Sequence, residues 1–321
     1  MSRPVVIAFG RVTSGVHYHR IVAPLFAMRE DVEVYLFQYM DEIPADLLTR
    51  STHIIFSRLN PLVPIKHIKG MFDTFRKFGK KIIIDVDDWW YFPPDHPNRK
   101  IWEEKRHEDR CTTTMKYADE VWCASKYLAK KVKRYNKNVI VIPNAVDTNS
   151  MQWNQPKIKS DKVRFGYLGA NYHQKDLLST GLDLSKYESY AVGAEYSELL
   201  KTKYTLKEEQ PNRYGLLYST IDVSLVPLLD SEFSRCKSNL KLIEAAYTNT
   251  AVICSGVKPY KEHLTAINSF TASNSSQWLV HVDACSRSPL YVSEKANNLR
   301  ESMAEFNLAN VNELRIERLY L

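Results

Sequence analysis

The amino-acid sequence predicts an α/β protein with two parallel, doubly wound sheets, one in each half of the chain. Short runs of β-branched and other apolar residues alternate with helix-length segments, which is the pattern of parallel strands joined by crossover helices. These runs are nearly continuously apolar, as is typical of strands covered on both faces. The alternation stops at a polar stretch, residues 143–162, and then resumes, so we expect two domains joined by a linker.

The first half contains six predicted strands and four predicted helices. Ser125 precedes the last helix and is a candidate N-cap, because its hydroxyl can accept a hydrogen bond from an amide of the first turn. The strands are expected at 5–9, 32–37, 53–56, 81–86, 120–124 and 139–142, and the helices at 17–29, 61–78, 99–118 and 126–136.

The second half contains four predicted strands and a final amphipathic helix. The fourth strand follows a helix that opens with Lys237, Ser238 and Asn239 and carries one acid, Glu244, among apolar residues. The strands are expected at 162–170, 187–194, 221–228 and 251–256, and the final helix at 310–321. We expect an N-terminal domain at 1–150, a C-terminal domain at 151–305, and a segment, 306–321, that packs back on the first domain.

The composition is typical of a globular protein. With 44% hydrophobic and 25% charged residues, the chain is neither disordered nor fibrous. No run approaches the ~18 apolar residues that a membrane-spanning helix needs. The first ten residues lead into a strand without the apolar core of a signal peptide. We therefore expect a cytoplasmic protein without integral membrane association, in the host cytoplasm if the gene is viral.

The five cysteines are far apart in the sequence and form no C-x-x-C pair. This spacing predicts neither a disulfide framework nor a zinc site. Cys123 and Cys254 lie within apolar strand patterns, so we expect both to be buried as small hydrophobic residues.

The net charge of +7 favours a polyanionic partner, such as nucleic acid, an anionic membrane face or a phosphorylated substrate. Basic residues are concentrated at 76–81 and 130–137. The alternative interpretation is a solvated helix face on which lysines maintain solubility.

The loop after the first strand, GRVTSGVHYHR, combines glycines with basic residues. It is not a G-x-G-x-x-G dinucleotide motif. Gly10 and Gly15 nevertheless allow a ligand to approach the backbone and the following helix N-terminus, which favours anions. Arg20 is a candidate cation of the site. His17 could contact the same ligand or be an ordinary core or surface histidine.

Acids and aromatic residues are concentrated at the end of the fourth strand, in IIIDVDDWWYFPP. Asp85, Asp87 and Asp88 could hold a divalent metal, since hard cations prefer carboxylate oxygens. Alternatively, Asp87 or Asp88 could accept hydrogen bonds from a sugar or acceptor hydroxyl, with Trp89, Trp90 and Tyr91 as a stacking wall. A third interpretation is a helix-capping aspartate followed by packed aromatic residues. The two-domain layout argues against the metal.

Four segments carry a resemblance to a known family. Residues 117–147 end in the motif Pro-Asn-x-Val-Asp, and RFGYLGANYHQKDL ends a strand in a glycine turn. STIDVSLVPL and CKSNLKLIEAAYTNTAVICSGVKPY follow in the second half. Together these segments resemble the nucleotide-sugar glycosyltransferases of the GT-B fold, in particular the retaining family-4 (GT4) group. The resemblance covers most of the chain.

The resemblance implies a GT-B fold, in which two Rossmann-like domains face each other across a cleft. It implies a retaining transferase, for hexoses or pentoses, that uses a nucleotide sugar, expected to be UDP-linked, as co-substrate and needs no cofactor or metal. Glu244 would bind the ribose, and Leu240 would line the nucleotide pocket. The other donor-binding residues would be Gly15, His17, Gly169, His173, Lys237, Ser238 and Asn239. The catalytic candidates are Lys175, Lys237, Arg20 and Asp87, and the acceptor-binding candidates are Asp88, Trp89 and Trp90.

One departure from the family pattern concerns the donor sugar. The family has two glutamates in this region, and the first would fall on Cys236. Glu232 or Asp230 could substitute for it. The sequence therefore supports the binding of the nucleotide better than the binding of the donor sugar.

Two acceptors remain open. The positive charge and the aromatic residues favour hydroxymethylcytosine in phage DNA, because base modification needs phosphate neutralisation and stacking. A bacterial surface glycan is the alternative, with the basic helix at 126–136 facing an anionic membrane. A non-catalytic protein that binds a nucleotide sugar or nucleic acid on the same fold is a third possibility. The sequence does not indicate an oligomeric state.

Overall fold

A computed structural model describes residues 2–58, 63–169 and 172–321. Residues 61–62 of one predicted helix and residue 170 of one predicted strand lie outside the described residues. The chain divides into two compact units, each built around a six-stranded sheet. The first unit comprises Met1–Asp147, Cys236–Ser238 and Leu308–Leu321, and the second comprises Thr148–Arg235 and Asn239–Asn307.

The sheet of the first unit is entirely parallel in the described residues, with strand order β2-β1-β3-β4-β5-β6. Its central strands are buried on both faces; Ile82, Ile83 and Ile84 are each 0% exposed. All six predicted strands are confirmed to within about a residue at each end. They are β1 Val5–Phe9, β2 Glu33–Phe37, β3 His53–Ser57, β4 Lys81–Val86, β5 Glu120–Cys123 and β6 Val139–Val141.

In the part of the first unit that the structure describes, seven α-helices connect these strands. The predicted helix at 17–29 is interrupted by a π-helical turn, Tyr18–Val22, just before Pro24, which has no amide hydrogen to donate. The predicted helix at 99–118 is split in two, and Arg106 at the break has a left-handed backbone with φ of 52°. Ser125 is confirmed as an N-cap, since its Oγ accepts a hydrogen bond from the amide of Leu128. The helices are α1 Gly15–His17, α2 Ala23–Ala27, α3 Ala45–Arg50, α4 Ile65–Lys77, α5 Arg99–Glu104, α6 His107–Tyr117 and α7 Lys126–Val132.

The sheet of the second unit is also parallel in the described residues, with strand order β12-β11-β10-β7-β8-β9. The four predicted strands are confirmed. The sequence did not predict the two edge strands, because each is three residues long with a threonine in the middle and so forms no continuous apolar run. The strands are β7 Arg164–Tyr167, β8 Glu188–Val192, β9 Tyr204–Leu206, β10 Val223–Val226, β11 Ala251–Ser255 and β12 Phe270–Ala272.

The helix that carries Glu244 starts later than its sequence suggests. It begins at Leu240, with Asn239 at the N-cap position, so Lys237 and Ser238 precede the helix rather than open it. It ends at Tyr247, followed two residues later by Asn249 in the left-handed conformation. The helices of the second unit are α8 Gln174–Leu178, α9 Ala194–Leu200, α10 Glu232–Arg235, α11 Leu240–Tyr247, α12 Ser275–Arg287 and α13 Pro289–Ser302.

The final helix, α14 Leu308–Tyr320, belongs to the first unit. Its apolar side chains join the core beneath β1 and β3. Arg318 forms an ion pair with Glu120 of β5, and the side-chain amide of Asn312 donates to the carbonyl of Pro24.

All five cysteines are buried free thiols, including Cys123 and Cys254 as expected. Among the described residues, no helix has both the length and the apolar composition needed to cross a membrane.

Candidate functional site

The predicted site residues of the first unit follow neighbouring strands at the carboxyl edge of its sheet. His17 and Arg20 follow β1, Ser57 ends β3, and the aspartates lie at the end of β4. Ligands of open parallel sheets bind at this edge. The fold therefore gathers these residues in one region of the first unit.

Arg20 is buried and fully engaged with the protein. Its Nε and Nη2 donate to the two carboxylate oxygens of Asp85 at 2.9 and 2.8 Å. Its Nη1 donates to the carbonyl of Ile142 at 2.7 Å and to Oδ1 of Asn144 at 3.1 Å. Burial opposes the charge, but Asp85 raises the pKa of Arg20 above its ordinary value. This geometry fits an organiser of the strand ends, and a direct catalytic role for Arg20 stays a prediction.

Each acid of the predicted cluster is paired with a cation from a distant part of the chain. Asp87 lies 3.6 Å from Nη1 of Arg58, and burial raises its pKa while Arg58 opposes the rise. Asp88 lies 3.1 Å from Nζ of Lys237. Within the described ranges, no three His, Cys, Asp or Glu side chains are grouped so that they could hold a metal ion.

His17 is held as a neutral imidazole. The backbone amide of Arg11 donates to its Nδ1 at 2.9 Å, so the ring proton lies on Nε2, which contacts Oγ of Ser57 at 3.1 Å. Burial lowers the pKa of His17, although Asp87 acts in the opposite direction. In this state the ring can exchange hydrogen bonds with a ligand but adds no positive charge. Its predicted contact with the donor stays a prediction.

The two tryptophans offer no open ring face. Trp90 is 0% exposed, and its carbonyl accepts a hydrogen bond from the indole of Trp102. Trp89 is 6% exposed and lies beneath the cationic groups of Lys131 and Arg134, each 5.8 Å from its ring. Stacking on an acceptor would require these side chains to move, so the acceptor role of Trp89 and Trp90 stays a prediction.

The segment Cys236–Ser238 is anchored within the first unit. The side-chain amide of Asn144, from the Pro-Asn-x-Val-Asp motif, donates to Oγ of Ser238 at 2.7 Å. The same Asn144 accepts from Arg20, so it links the buried Arg20–Asp85 pair to this segment. Cys236 is 0% exposed, which makes the position of the missing glutamate part of the core.

Glu244 of α11 lies inside a hydrogen-bonded network in the second unit. It is 2% exposed, and its Oε2 accepts from Nζ of Lys241 at 2.8 Å and from the hydroxyl of Tyr218 at 3.0 Å. Lys241 also donates to the hydroxyl of Tyr214. Burial opposes the charge of Lys241, but Glu244 raises its pKa well above the ordinary value. Lys241 was not among the predicted site residues, although its i, i+3 spacing from Glu244 is a usable signal.

Asn239 lies at the N-cap position of α11, where its side chain makes no hydrogen bond to the helix. Instead, its Nδ2 lies 3.1 Å from Nε2 of His263. Leu240 is the first helical residue, and it is partly buried. The amides at this end of the helix remain the predicted place for a diphosphate.

Gly169 and His173 lie in the loop after β7 of the same unit. A Cβ atom on Gly169 would come within 2.1 Å of the Tyr167 hydroxyl, so only glycine fits there without moving that ring. Nδ1 of His173 contacts Oδ2 of Asp176 at 2.6 Å. Lys175 lies in the first turn of the short helix α8. Asp176 was not among the predicted site residues.

No protein-family model matches the chain, and no curated protein is similar to it in sequence. Its structure, however, is similar over its full length to solved structures with the GT-B fold. With a glycosyltransferase from Rickettsia africae, the TM-score is 0.65 at 12% identity, covering 99% of this chain and 98% of the other. The values are the same for sucrose-phosphate synthase from Thermosynechococcus elongatus.

HepE from Anabaena, solved in complex with UDP-glucose, gives a TM-score of 0.65 at 12% identity, covering 99% of this chain and 100% of the other. Two parallel six-stranded sheets and these similarities define the protein as one of the GT-B fold. The expected fold class is thereby confirmed, whereas 12% identity carries no conclusion about activity.

Proposed function

We propose that the protein is a glycosyltransferase that moves a sugar from a nucleotide diphosphate sugar to an acceptor hydroxyl. The observation that carries the proposal is the full-length similarity to GT-B proteins, one of them solved with UDP-glucose, in a chain whose α11 carries a buried carboxylate behind a Lys-Ser-Asn turn. We further propose that transfer retains the anomeric configuration and that the donor is UDP-linked, as the family-4 resemblance implies.

In the proposed donor site, Glu244 binds the ribose hydroxyls. A carboxylate has about four acceptor positions, so ribose can share Glu244 with Tyr218 and Lys241. An ion pair with Lys241 orients the carboxylate, and the helix holds it in place. Both conditions favour strong hydrogen bonds to a ligand hydroxyl.

The diphosphate gathers negative charge as the sugar leaves. The proposal assigns its stabilisation to Lys175, Lys237 and the first amides of α11, because fixed positive charge at the leaving group is the main source of catalysis in such a reaction. Lys237 is paired with Asp88 in the structure, 3.1 Å away. Donor binding would therefore compete with Asp88 for Lys237.

For the acceptor we propose a hydroxyl group on hydroxymethylcytosine in DNA. Helix α7 and the residues after it support this choice, because they carry a row of cations without an intervening acid. The exposed members are Lys126, Lys130, Lys133, Arg134 and Lys137. A surface glycan is the second candidate, since the same cations could face an anionic membrane. Both candidates are compatible with a cytoplasmic protein.

The test is incubation of the protein with a panel of nucleotide sugars and two sets of acceptors, hydroxymethylated duplex DNA and glycan oligomers, followed by mass spectrometry. A mass increase of one sugar on DNA supports the proposal, and one on a glycan selects the second candidate. If nucleotide sugars bind but no sugar is transferred or hydrolysed, the enzyme proposal is wrong and a binding protein remains.

A further inference from the structure

Asp176 lies between two loops of the second unit that follow neighbouring strands. Strands β7 and β10 are hydrogen-bonded neighbours, with Val223 opposite Phe165. His173 lies in the loop after β7, Asp176 lies in the short helix α8 that follows this loop, and the loop after β10 contains residues 228–230. The carboxyl ends of neighbouring parallel strands share one edge of the sheet, which is where such sheets bind ligands.

Both carboxylate oxygens of Asp176 accept hydrogen bonds, one from each loop. Oδ2 accepts from Nδ1 of His173 at 2.6 Å, and Oδ1 accepts from the backbone amide of Leu229 at 2.7 Å. The side chains of Asp176 and His173 are only 13% and 19% exposed. Hydrogen bonds to an ionised carboxylate are about twice as strong as neutral ones. Asp176 thus forms a short, partly buried link between the two loops. We call these two hydrogen bonds of Asp176 the clamp.

The clamp also fixes the imidazole. Because an ionised carboxylate only accepts, Nδ1 of His173 carries the hydrogen of this bond, and Nε2 lies on the opposite side of the ring. The backbone amide of His173 is itself held by the hydroxyl of Tyr196 at 3.4 Å. The ring therefore has little freedom to turn.

A second hydrogen bond extends the arrangement to the next strand. The amide of Leu228 donates to Oγ of Ser255, the last residue of β11, at 2.9 Å. The loops after β7, β10 and β11 are thereby joined by Asp176 and Ser255 into one connected edge. Asp176 is the acidic member of these links.

We propose that Asp176 is a positioning residue of the donor site, which orients His173 and holds the 228–230 loop in place for the diphosphate sugar. The inference rests on the proposed function, because it takes the ligand to be a nucleotide sugar. Asp176 acts through other groups, so its loss should weaken donor binding more than it slows the bound complex. A purely structural residue would instead lower stability without this preference for the donor.

The experiment compares Asp176→Ala and Asp176→Asn with the matched control Asp183→Ala. Asp183 is another aspartate of the second unit, 46% exposed and paired with Lys201. Calorimetry measures the Kd of UDP and of the nucleotide sugar that the wild-type protein binds best, steady-state kinetics separates KM from kcat, and thermal unfolding monitors stability. Hydrogen exchange over residues 227–233 reports whether the loop is released.

We expect Asp176→Ala to raise the donor Kd and KM on the order of 10-fold, by analogy with the partners that orient metal-binding histidines. The change in kcat should be smaller, and exchange over residues 227–233 should be faster. Asp176→Asn should be intermediate, since an amide oxygen can accept only one of the two hydrogen bonds well. In a His173→Gln background the effect of Asp176→Ala should shrink, and Asp183→Ala should change none of these quantities.

Unchanged Kd and exchange in Asp176→Ala overturn the positioning role, even if the wild-type protein transfers sugar. A loss of stability with unchanged donor KM does the same. A wild-type protein that binds no nucleotide sugar overturns the proposed function and the ligand part of this inference together, whereas unchanged loop exchange separately refutes the clamp.

Discussion

At the residue scale, the role of an acidic side chain depends on which cation the fold places next to it. The predicted aspartate cluster could have been read as a metal clamp or as a substrate-facing group. In the structure each acid has its own cation: Asp85 with Arg20, Asp87 with Arg58 and Asp88 with Lys237. The carboxylates are therefore compensated within the protein, and a ligand must exchange with an existing pair.

Glu244 gives the sharpest residue-scale prediction. Glu244→Ala removes a charged acceptor for the ribose and leaves Lys241 without its counter-charge. We expect UDP binding to weaken by about 1–3 kcal/mol, or roughly 5- to 150-fold in Kd, as measured by calorimetry. The exposed Glu294→Ala on α13 is the control and should bind as the wild type does. Equal affinity of Glu244→Ala and wild type would remove Glu244 from the site.

His53 predicts the acid sensitivity of the first unit. Burial, with help from the charge of Lys81, lowers the pKa of His53 from 6.5 to about 4. Between these two pH values the unfolded chain binds a proton that the folded chain does not. Stability is therefore lost as the pH falls from about 6.5 to 4, by at most about 3 kcal/mol from this group.

The measurement is urea unfolding at pH 7.5 and pH 4.5 for the wild type and His53→Gln. Glutamine keeps a side chain that can hydrogen-bond to Thr52 but does not titrate. We expect a smaller loss of unfolding free energy on acidification in the variant. An identical loss in both proteins would show that His53 is not the source.

At the element scale, α14 shows how one ion pair holds a terminal helix. Glu120 is 0% exposed on β5, and its carboxylate accepts from Arg318 and from the indole of Trp122. Lys81 lies 3.4 Å away as a second cation. A buried carboxylate without a partner is costly, so the attachment of α14 depends on Arg318.

Arg318→Met should therefore destabilise the protein by about 2–4 kcal/mol, slightly less than for a lone buried pair because Lys81 remains. The double variant Arg318→Met/Glu120→Gln should recover part of the loss, since the amide is neutral. Urea unfolding measures both. The exposed pair of Arg50 with Glu33 is the control, and Arg50→Met should cost far less stability than Arg318→Met. Equal costs for the two arginines would contradict the role given to Glu120.

At the scale of the whole molecule, the net charge of +7 bears on the acceptor. If duplex DNA is the acceptor, binding releases counterions and should weaken steeply with salt between about 50 and 200 mM. Charge reversal at Lys130 and Lys133 should reduce the slope, whereas Lys201→Glu in the second unit should not. Fluorescence anisotropy with labelled DNA measures both. A flat salt response would favour the glycan.

Metal removal is a second whole-molecule test. Because Lys175, Lys237 and the α11 amides are proposed to carry the positive charge at the diphosphate, transfer should continue in excess EDTA. A requirement for added divalent metal would return the aspartates to the role of a clamp. Transfer rates with and without EDTA decide between the two.

The sequence by itself determined the fold class and ten of the twelve described strands. Continuous apolar runs such as Ile82–Ile84 can only be buried on both faces, and this requires helices on both sides of a parallel sheet. Capping by Ser125 was equally local, because it depends on residues within one turn. The edge strands Tyr204–Leu206 and Phe270–Ala272 were missed, since pairing rather than pattern makes them strands.

Only the tertiary structure decided which charges meet. Arg20 and Asp85 are 65 residues apart, and Lys237 and Asp88 are 149 apart, so no local pattern relates them. The acid at Glu244 was visible in the sequence, but its partner Tyr218 lies 26 residues away on another element. Burial also leaves Trp89 and Trp90 without the open ring face that their predicted stacking role requires. Apolar periodicity is a property of the sequence itself, whereas the compensation of a buried charge depends on distances in three dimensions.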